Sequence, residues 1–188
     1  MTNADAGTGT VVGDERIRIF CGLQLADETV ACLAAWQAEQ LRVGRIVPPE
    51  NLHVTLAFLG HRPAADVPAV VGELREASAA AGRIELRPVR YRETRSVGMV
   101  VLEDAGGAAT ALADDLQERL ERLGLYRREH RPWLPHVTVL RFRERAGLVP
   151  PPPNTCSIHV VRSALYRSLL GAGEARYVVL ETGVLGGR

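Results

Sequence analysis

Two hydrophobic periods run along this chain and divide it into strands and helices. Arg16-Ile17-Arg18-Ile19-Phe20-Cys21-Gly22-Leu23 alternates polar and apolar positions and predicts a strand over 16–23. A helical period follows, from an N-cap at Asp27 to about Arg42, with Val30, Leu33, Ala34, Ala38 and Leu41 as its buried stripe. Pro48-Pro49 interrupts it, and His53-Val54-Thr55-Leu56-Ala57-Phe58-Leu59 reads as the next strand, with Gly60 and His61 in a turn beyond. Helices are expected over 67–80 and 108–123. The second has Leu112, Leu116, Leu120 and Leu123 on one face and Gly124 as its terminator. Further strands are expected around 84–89 and 97–102, from His136 onward, and near 158–166 and 176–181. Pro150-Pro151-Pro152-Pro153 can join no ladder. Residues 1–15 lack any apolar period and read as a disordered leader before a single two-lobed unit over 16–188.

The order strand, helix, proline loop, strand occurs twice, and each occurrence ends on one tripeptide. His53-Val54-Thr55 closes the first and His136-Val137-Thr138 the second. The pattern predicts two halves related by a pseudo-twofold axis. Side chains alternate across a strand, so His53 shares a face with Thr55 and His136 with Thr138. A buried face would carry Val, Ile or Leu there, so an imidazole and a hydroxyl must find partners or line a wet cleft. With the strands side by side, two titratable groups and two hydroxyls surround one space, which suits acid–base chemistry on a phosphate. His61, His130 and His159 have no such counterpart and read as structural.

Composition changes this picture little. The chain has 188 residues, 46% hydrophobic and 24% charged, with a formal net charge of +1, as in ordinary soluble globular proteins. The distribution of charge adds more. Eight arginines between Arg119 and Arg145 face only Glu121, Glu129 and Glu144. The run brackets His136 and is expected to form an anion-binding rim, with a solvated helix face as the competing reading. All 23 basic residues are arginine, which excludes a lysine nucleophile, a Schiff base and a P-loop lysine. Cys21, Cys32 and Cys156 show no C-x-x-C spacing, so neither a disulfide framework nor a zinc knuckle is expected, and the thiols read as reduced in a cytoplasmic chain. Met1 to Gly13 lacks the basic and apolar regions of a signal peptide, and no run has the length of a membrane span. No H-x-x-x-H or H-x-H pair supports a metal site, no G-x-S-x-G elbow a serine nucleophile, and Gly106-Gly107 is too little for a dinucleotide loop.

Several segments together carry a family resemblance. They are Arg18-Ile19-Phe20, Leu25-Ala26-Asp27-Glu28, the block Asn51 to Gly60, Pro135 to Arg141, Leu165-Tyr166-Arg167-Ser168 and Arg176-Tyr177. The chain resembles the two-histidine phosphoesterase superfamily, and within it the RNA 2′,3′-cyclic phosphodiesterase or 2′-5′ RNA ligase family. The resemblance implies an α+β fold of two lobes, antiparallel sheets lining a central cleft with helices outside. It implies hydrolysis of an RNA terminal 2′,3′-cyclic phosphate to a 2′-phosphate without metal or other cofactor, by a monomer with no protein partner. His53 becomes the general acid and His136 the general base, while Thr55 and Thr138 bind the non-bridging oxygens. Arg141 matches an arginine that the family uses at the phosphate, yet strict alternation puts it on the face opposite His136, so it reaches the cleft only through a bulge or a strand end. Phe58 and Trp133 are candidates for stacking on a base, although Phe58, by the same alternation, faces away from His53 and reads as packing. RNA 3′ ends or small cyclic nucleotides are the expected partners. Two other readings stay open: a non-catalytic RNA-end binder, and a phosphodiesterase or ligase acting on 2′-5′-linked or small cyclic nucleotides.

Overall fold

The computed structural model describes residues 15–171 and 175–186; most of the leader lies outside that range. The chain folds as β1 (Arg16–Leu25), α1 (Asp27–Gln40), β2 (Arg45–Ile46), β3 (His53–Pro63), α2 (Val67–Ala80), β4 (Leu86–Glu93), β5 (Val97–Asp104), α3 (Ala108–Arg122), β6 (His136–Arg141), β7 (Val160–Leu170) and β8 (Ala175–Gly183). The strands form an antiparallel sheet in the order β4-β5-β6-β3-β1-β7-β8, with β2 paired to β6. β3 and β6 lie at its centre, flanked by β1 and β5, as the duplicated order requires. The two halves meet at a narrow seam, where the ladder between β3 and β6 pairs only Val54 with Val137.

The helices cover one face of the sheet. Val54, Leu56, Val137 and Val139 point into the core with Leu33, Leu74, Leu112, Leu116 and Leu120, all nearly or fully buried. Each half's own helix reaches the other half's central strand. From α1, Gln37 contacts β6, and from α3, Gln117 contacts β3.

α1 departs from its expected stripe. Leu33 and Leu41 are buried as expected, but Thr29, Trp36 and Gln37 complete the face in place of Val30, Ala34 and Ala38. These polar groups point inward because bare backbone groups await them: the Thr29 hydroxyl donates to the Ser157 carbonyl, and the Trp36 indole to that of Pro151. The N-cap is Ala26, without a side-chain cap, and Asp27 is the first helical residue. Its charge, with that of Glu28, still suits the positive helix end.

Two further expectations are corrected. Gly60 and His61 lie within β3, because Leu59 is an extra residue bulged against β1 and Gly60 takes the positive φ of 72° beside it. Cys32 and Cys156 are joined in a disulfide across Cα atoms 5.7 Å apart, while Cys21 is free and buried. Sequence spacing could not reveal this pair, since 124 positions separate the partners and only the packing of α1 on the segment after the proline run brings them together.

Candidate active site

β3 and β6 carry the same irregularity at the same place. In β3, Gly22 of β1 pairs with Thr55 and Cys21 with Ala57, so Leu56 is an extra residue. In β6, Met99 of β5 pairs with Thr138 and Gly98 with Leu140, so Val139 is the extra one. Both bulges stand three positions past the histidine. A bulge reverses the phase of the strand beyond it. The residue five positions past each histidine, Phe58 in β3 and Arg141 in β6, therefore returns to the face of the imidazole. Burial records the same phase in both strands: His, Thr and the fifth residue are accessible to some degree, and the intervening apolar residues are buried.

These residues line one cleft. A cavity of about 220 Å³ is bounded by His53, Thr55, Phe58, Thr138, Arg141, Arg18, Phe20, Asn51 and Tyr177. A second, of about 460 Å³, shares Thr55 and Phe58 and continues past His136 to Met99, Arg92, Tyr126, Arg131 and Trp133. The structure thus brings together all five residues expected from the sequence, His53, His136, Thr55, Thr138 and Arg141. Phe58 lines both cavities and is 47% exposed, so its reading as core packing is overturned by the bulge at Leu56. A larger open cavity, of about 930 Å³, lies between β4 and the approach to β7 and contains none of these residues.

The imidazoles are held alike. His53 Nδ1 lies 2.7 Å from the Asn51 carbonyl, and His136 Nδ1 lies 2.7 Å from that of Leu134, each two positions upstream. A carbonyl only accepts, so Nδ1 carries the hydrogen in both rings and leaves Nε2 to exchange protons. His53 Nε2 is 3.1 Å from the Thr55 hydroxyl. Asn51 is itself fixed, its amide donating to the Ala175 carbonyl.

The surroundings of His53 depress its basicity. Phe20, Tyr166 and Tyr177 stand around it with ring centroids 4.7, 5.7 and 5.3 Å away. Burial in this nest is the largest influence. Against the upward pull of the Asn51 carbonyl, and helped by the charges of His136 and Arg141, it pushes His53 from the ordinary 6.5 down to about 4.

Sequence reasoning did not single out Arg18, Asn51 and Tyr177, nor Phe20 and Tyr166, as parts of the site. Arg18 stands 4.6 Å over the Phe58 ring and donates to the Ser168 hydroxyl. The alternation of β1 groups Arg18, Phe20 and Gly22 on one face, and that signal could have placed them in the cleft. Trp133 donates its indole hydrogen to the Thr55 carbonyl, bracing the first strand from the second half. The expected arginine rim is narrower than its charge count, because Arg119, Arg128, Arg131 and Arg145 each hold a carboxylate of the protein itself. Among the described residues no three His, Cys, Asp or Glu side chains converge as a metal-binding group, and no helix is long and apolar enough to cross a membrane.

The model of the 2′-5′ RNA ligase superfamily matches residues 26–153, which contain both His-Val-Thr strands. The chain belongs to this superfamily. The RNA 2′,3′-cyclic phosphodiesterase of Escherichia coli K12 is 30% identical over 174 residues, covering 87% of this chain and 94% of that protein. The RNA 2′,3′-cyclic phosphodiesterase of Thermus thermophilus is 30% identical over 178 residues, covering 88% of each. The crystal structure of E. coli LigT complexed with 3′-AMP superimposes with a TM-score of 0.75 at 27% identity, covering 91% of this chain and 99% of that one. That structure shares the architecture described above.

Proposed function

We propose that this chain hydrolyses the 2′,3′-cyclic phosphate of RNA, as its relatives' names suggest, and that it does so at the 3′ end, to a 2′-phosphate and without a metal. The observation that carries the reading is the pair of imidazoles on adjacent strands, each with Nδ1 committed to a carbonyl and Nε2 left to the cleft. Water attacks phosphorus and gives its proton to His136, while the bond from phosphorus to the 3′-oxygen breaks and that oxygen takes a proton from His53. One water is consumed, and the two imidazoles exchange protonation states until solvent resets them. The Thr55 and Thr138 hydroxyls and the Arg141 guanidinium hold the non-bridging oxygens, whose charge grows in the transition state.

The low basicity of His53 fits this role once the substrate is considered. Alone, the ring resists a proton because of its burial and the neighbouring cations. An anionic phosphate beside Arg141 offsets those cations, so substrate binding itself favours the protonated acid. The second cavity, with Trp133, Tyr126 and Arg92, extends the cleft beyond the space a cyclic ribose phosphate fills, which favours an RNA end over a free mononucleotide.

The test is turnover of RNA bearing a 2′,3′-cyclic end. His53→Ala and His136→Ala should each lower it by roughly a hundredfold or more, and EDTA should leave it unchanged. Replacing the 3′-oxygen by sulfur, a leaving group that needs no proton, should rescue His53→Ala and not His136→Ala. Rescue of the other variant reverses the two roles. Loss of turnover in EDTA, restored by a divalent metal, sinks the metal-free reaction.

A further inference from the structure

The two bulges that shape the cleft are each held from the opposite half. Gln37 lies on α1, the first half's helix, and its Nε2 donates to the Val139 carbonyl in β6 at 2.7 Å and to the Val47 carbonyl at 3.0 Å. Gln117 lies on α3, the second half's helix, and its Nε2 donates to the Leu56 carbonyl in β3 at 2.8 Å. Val139 and Leu56 are the extra residues of the bulges. Both glutamines are buried, at 1% and 7% exposure, and Gln117 also lines the second cavity beside Leu56. An extra residue in a strand is left out of the ladder, so its carbonyl must be met from elsewhere: that of Val139 is met by the Val47 N–H at 3.1 Å as well as by Gln37, and that of Leu56 by Gln117. Gln37 meets two carbonyls while its own Oε1 has no partner among the described residues, a cost that a Leu or Met at that place would not incur.

We propose that Gln37 and Gln117 are positioning residues, each fixing the bulge of the opposite half and so turning Arg141 and Phe58, respectively, into the cleft. Without the glutamine, Leu56 loses its side-chain donor and Val139 keeps only the Val47 N–H, so regular pairing gains on the bulge, and with it the alternation that sends the fifth residue to the other face. Gln37 therefore acts on the phosphate site through Arg141, and Gln117 acts on the wall shared by the two cavities through Phe58 and the Arg18 stacked on it.

The inference rests on the proposed function only where turnover is read, so the experiment has an arm that needs none. Affinity for inorganic phosphate is measured by calorimetry in Gln37→Met, Arg141→Ala and the double variant. Gln37→Met should weaken phosphate roughly tenfold, the scale of one charge-assisted hydrogen bond, and should cost nothing further once Arg141 is alanine. Gln117→Met is read in the second arm, as KM and kcat for a 2′,3′-cyclic RNA end. Its loss should fall on KM, be absent in the Phe58→Ala background and persist in the Arg141→Ala background. Additive losses in every background mean that the glutamines only stabilise the fold, and they overturn the proposal. Where a Met variant does not fold, Gln→Glu keeps the shape, and the same cycles are read across pH, because its protonated form donates to the carbonyl and its ionised form cannot. A wild-type protein that binds phosphate but does not turn over the cyclic end would refute the proposed reaction and leave the first arm valid.

Discussion

Opposite Thr55, β1 has Gly22; opposite Thr138, β5 has Met99. The two central strands match in tripeptide, bulge and carbonyl lock, but their neighbouring strands give the two histidines different surroundings. A Cβ on Gly22 would stand 2.9 Å from the Val54 carbonyl oxygen and 3.3 Å from His53 Cδ2. Because nothing stands there, His53 settles against Phe20, Tyr166 and Tyr177, and its proton is hard to keep. His136 has no comparable ring contact among the described residues and borders the larger of the two cleft cavities. A duplicated motif thus acquires two different surroundings from the strands beside it, with no change in the motif itself.

The helices differ between the halves as well, and the largest effect is expected there. α1 is tied covalently through Cys32–Cys156, whereas α3 is held by polar contacts such as Thr110 to Asp104 and Arg119 to Glu73. Cys32→Ser should lower the free energy of unfolding by about 4 kcal/mol, since the crosslink closes a long loop in the unfolded chain. Arg119→Gln on α3 should cost under about 1 kcal/mol, as a part-exposed ion pair does. Urea titrations that give equal losses would break this contrast between the helices.

A pH effect of middle size follows from the His53 nest. The folded value, about 4, lies below the ordinary 6.5, so the unfolded chain takes up this proton first as pH falls. The associated stability is present above about pH 6.5 and is lost toward pH 4, on the order of 3 kcal/mol. His53→Gln, neutral throughout, should flatten that part of the stability profile. An unchanged slope would show that the nest does not set the proton affinity.

The smallest expected effect is the most local. Gly22→Ala should lower turnover about tenfold by lifting the His53 ring from its seat, with a loss of stability beside it, because the new Cβ stands 2.9 Å from the Val54 carbonyl oxygen and the backbone must shift. Met99→Ala, at the matching place of the other half, should cost less. Equal losses would mean that the depth of the imidazole is not what separates the halves.

Much of the architecture is legible in the sequence because it rests on local periods. Strong apolar repeats mark α2 and α3 almost to their ends, and proline and glycine mark the breaks. The paired His and Thr are legible because a polar pair repeated in a strand has little structural use. Long-range facts are hidden. The disulfide depends on how α1 packs on a segment far along the chain. Arg141 and Phe58 depend on bulges that alternation cannot reveal, although alternation does show that Arg141 needs one. A hydrophobicity period misplaces the buried face of α1, because Thr29 and Gln37 turn inward to serve backbone groups and such a period assigns them outward. Gln37 and Gln117, at similar depths in corresponding helices, are the signal that was available.

The crossed glutamines also bear on ancestry. A lone half of this sheet would have a bulged strand whose carbonyl meets its donors, Gln117 at Leu56 and both Gln37 and the Val47 amide at Val139, from the other half. A primordial single-half protein could satisfy that carbonyl only by pairing with a second copy and exchanging helices with it, as domain-swapped dimers do. Fusion of two such copies would keep the exchange within one chain and free each half to diverge. The present molecule is in this sense a dimer made permanent, and its halves, expressed as separate fragments, should fold only in each other's company.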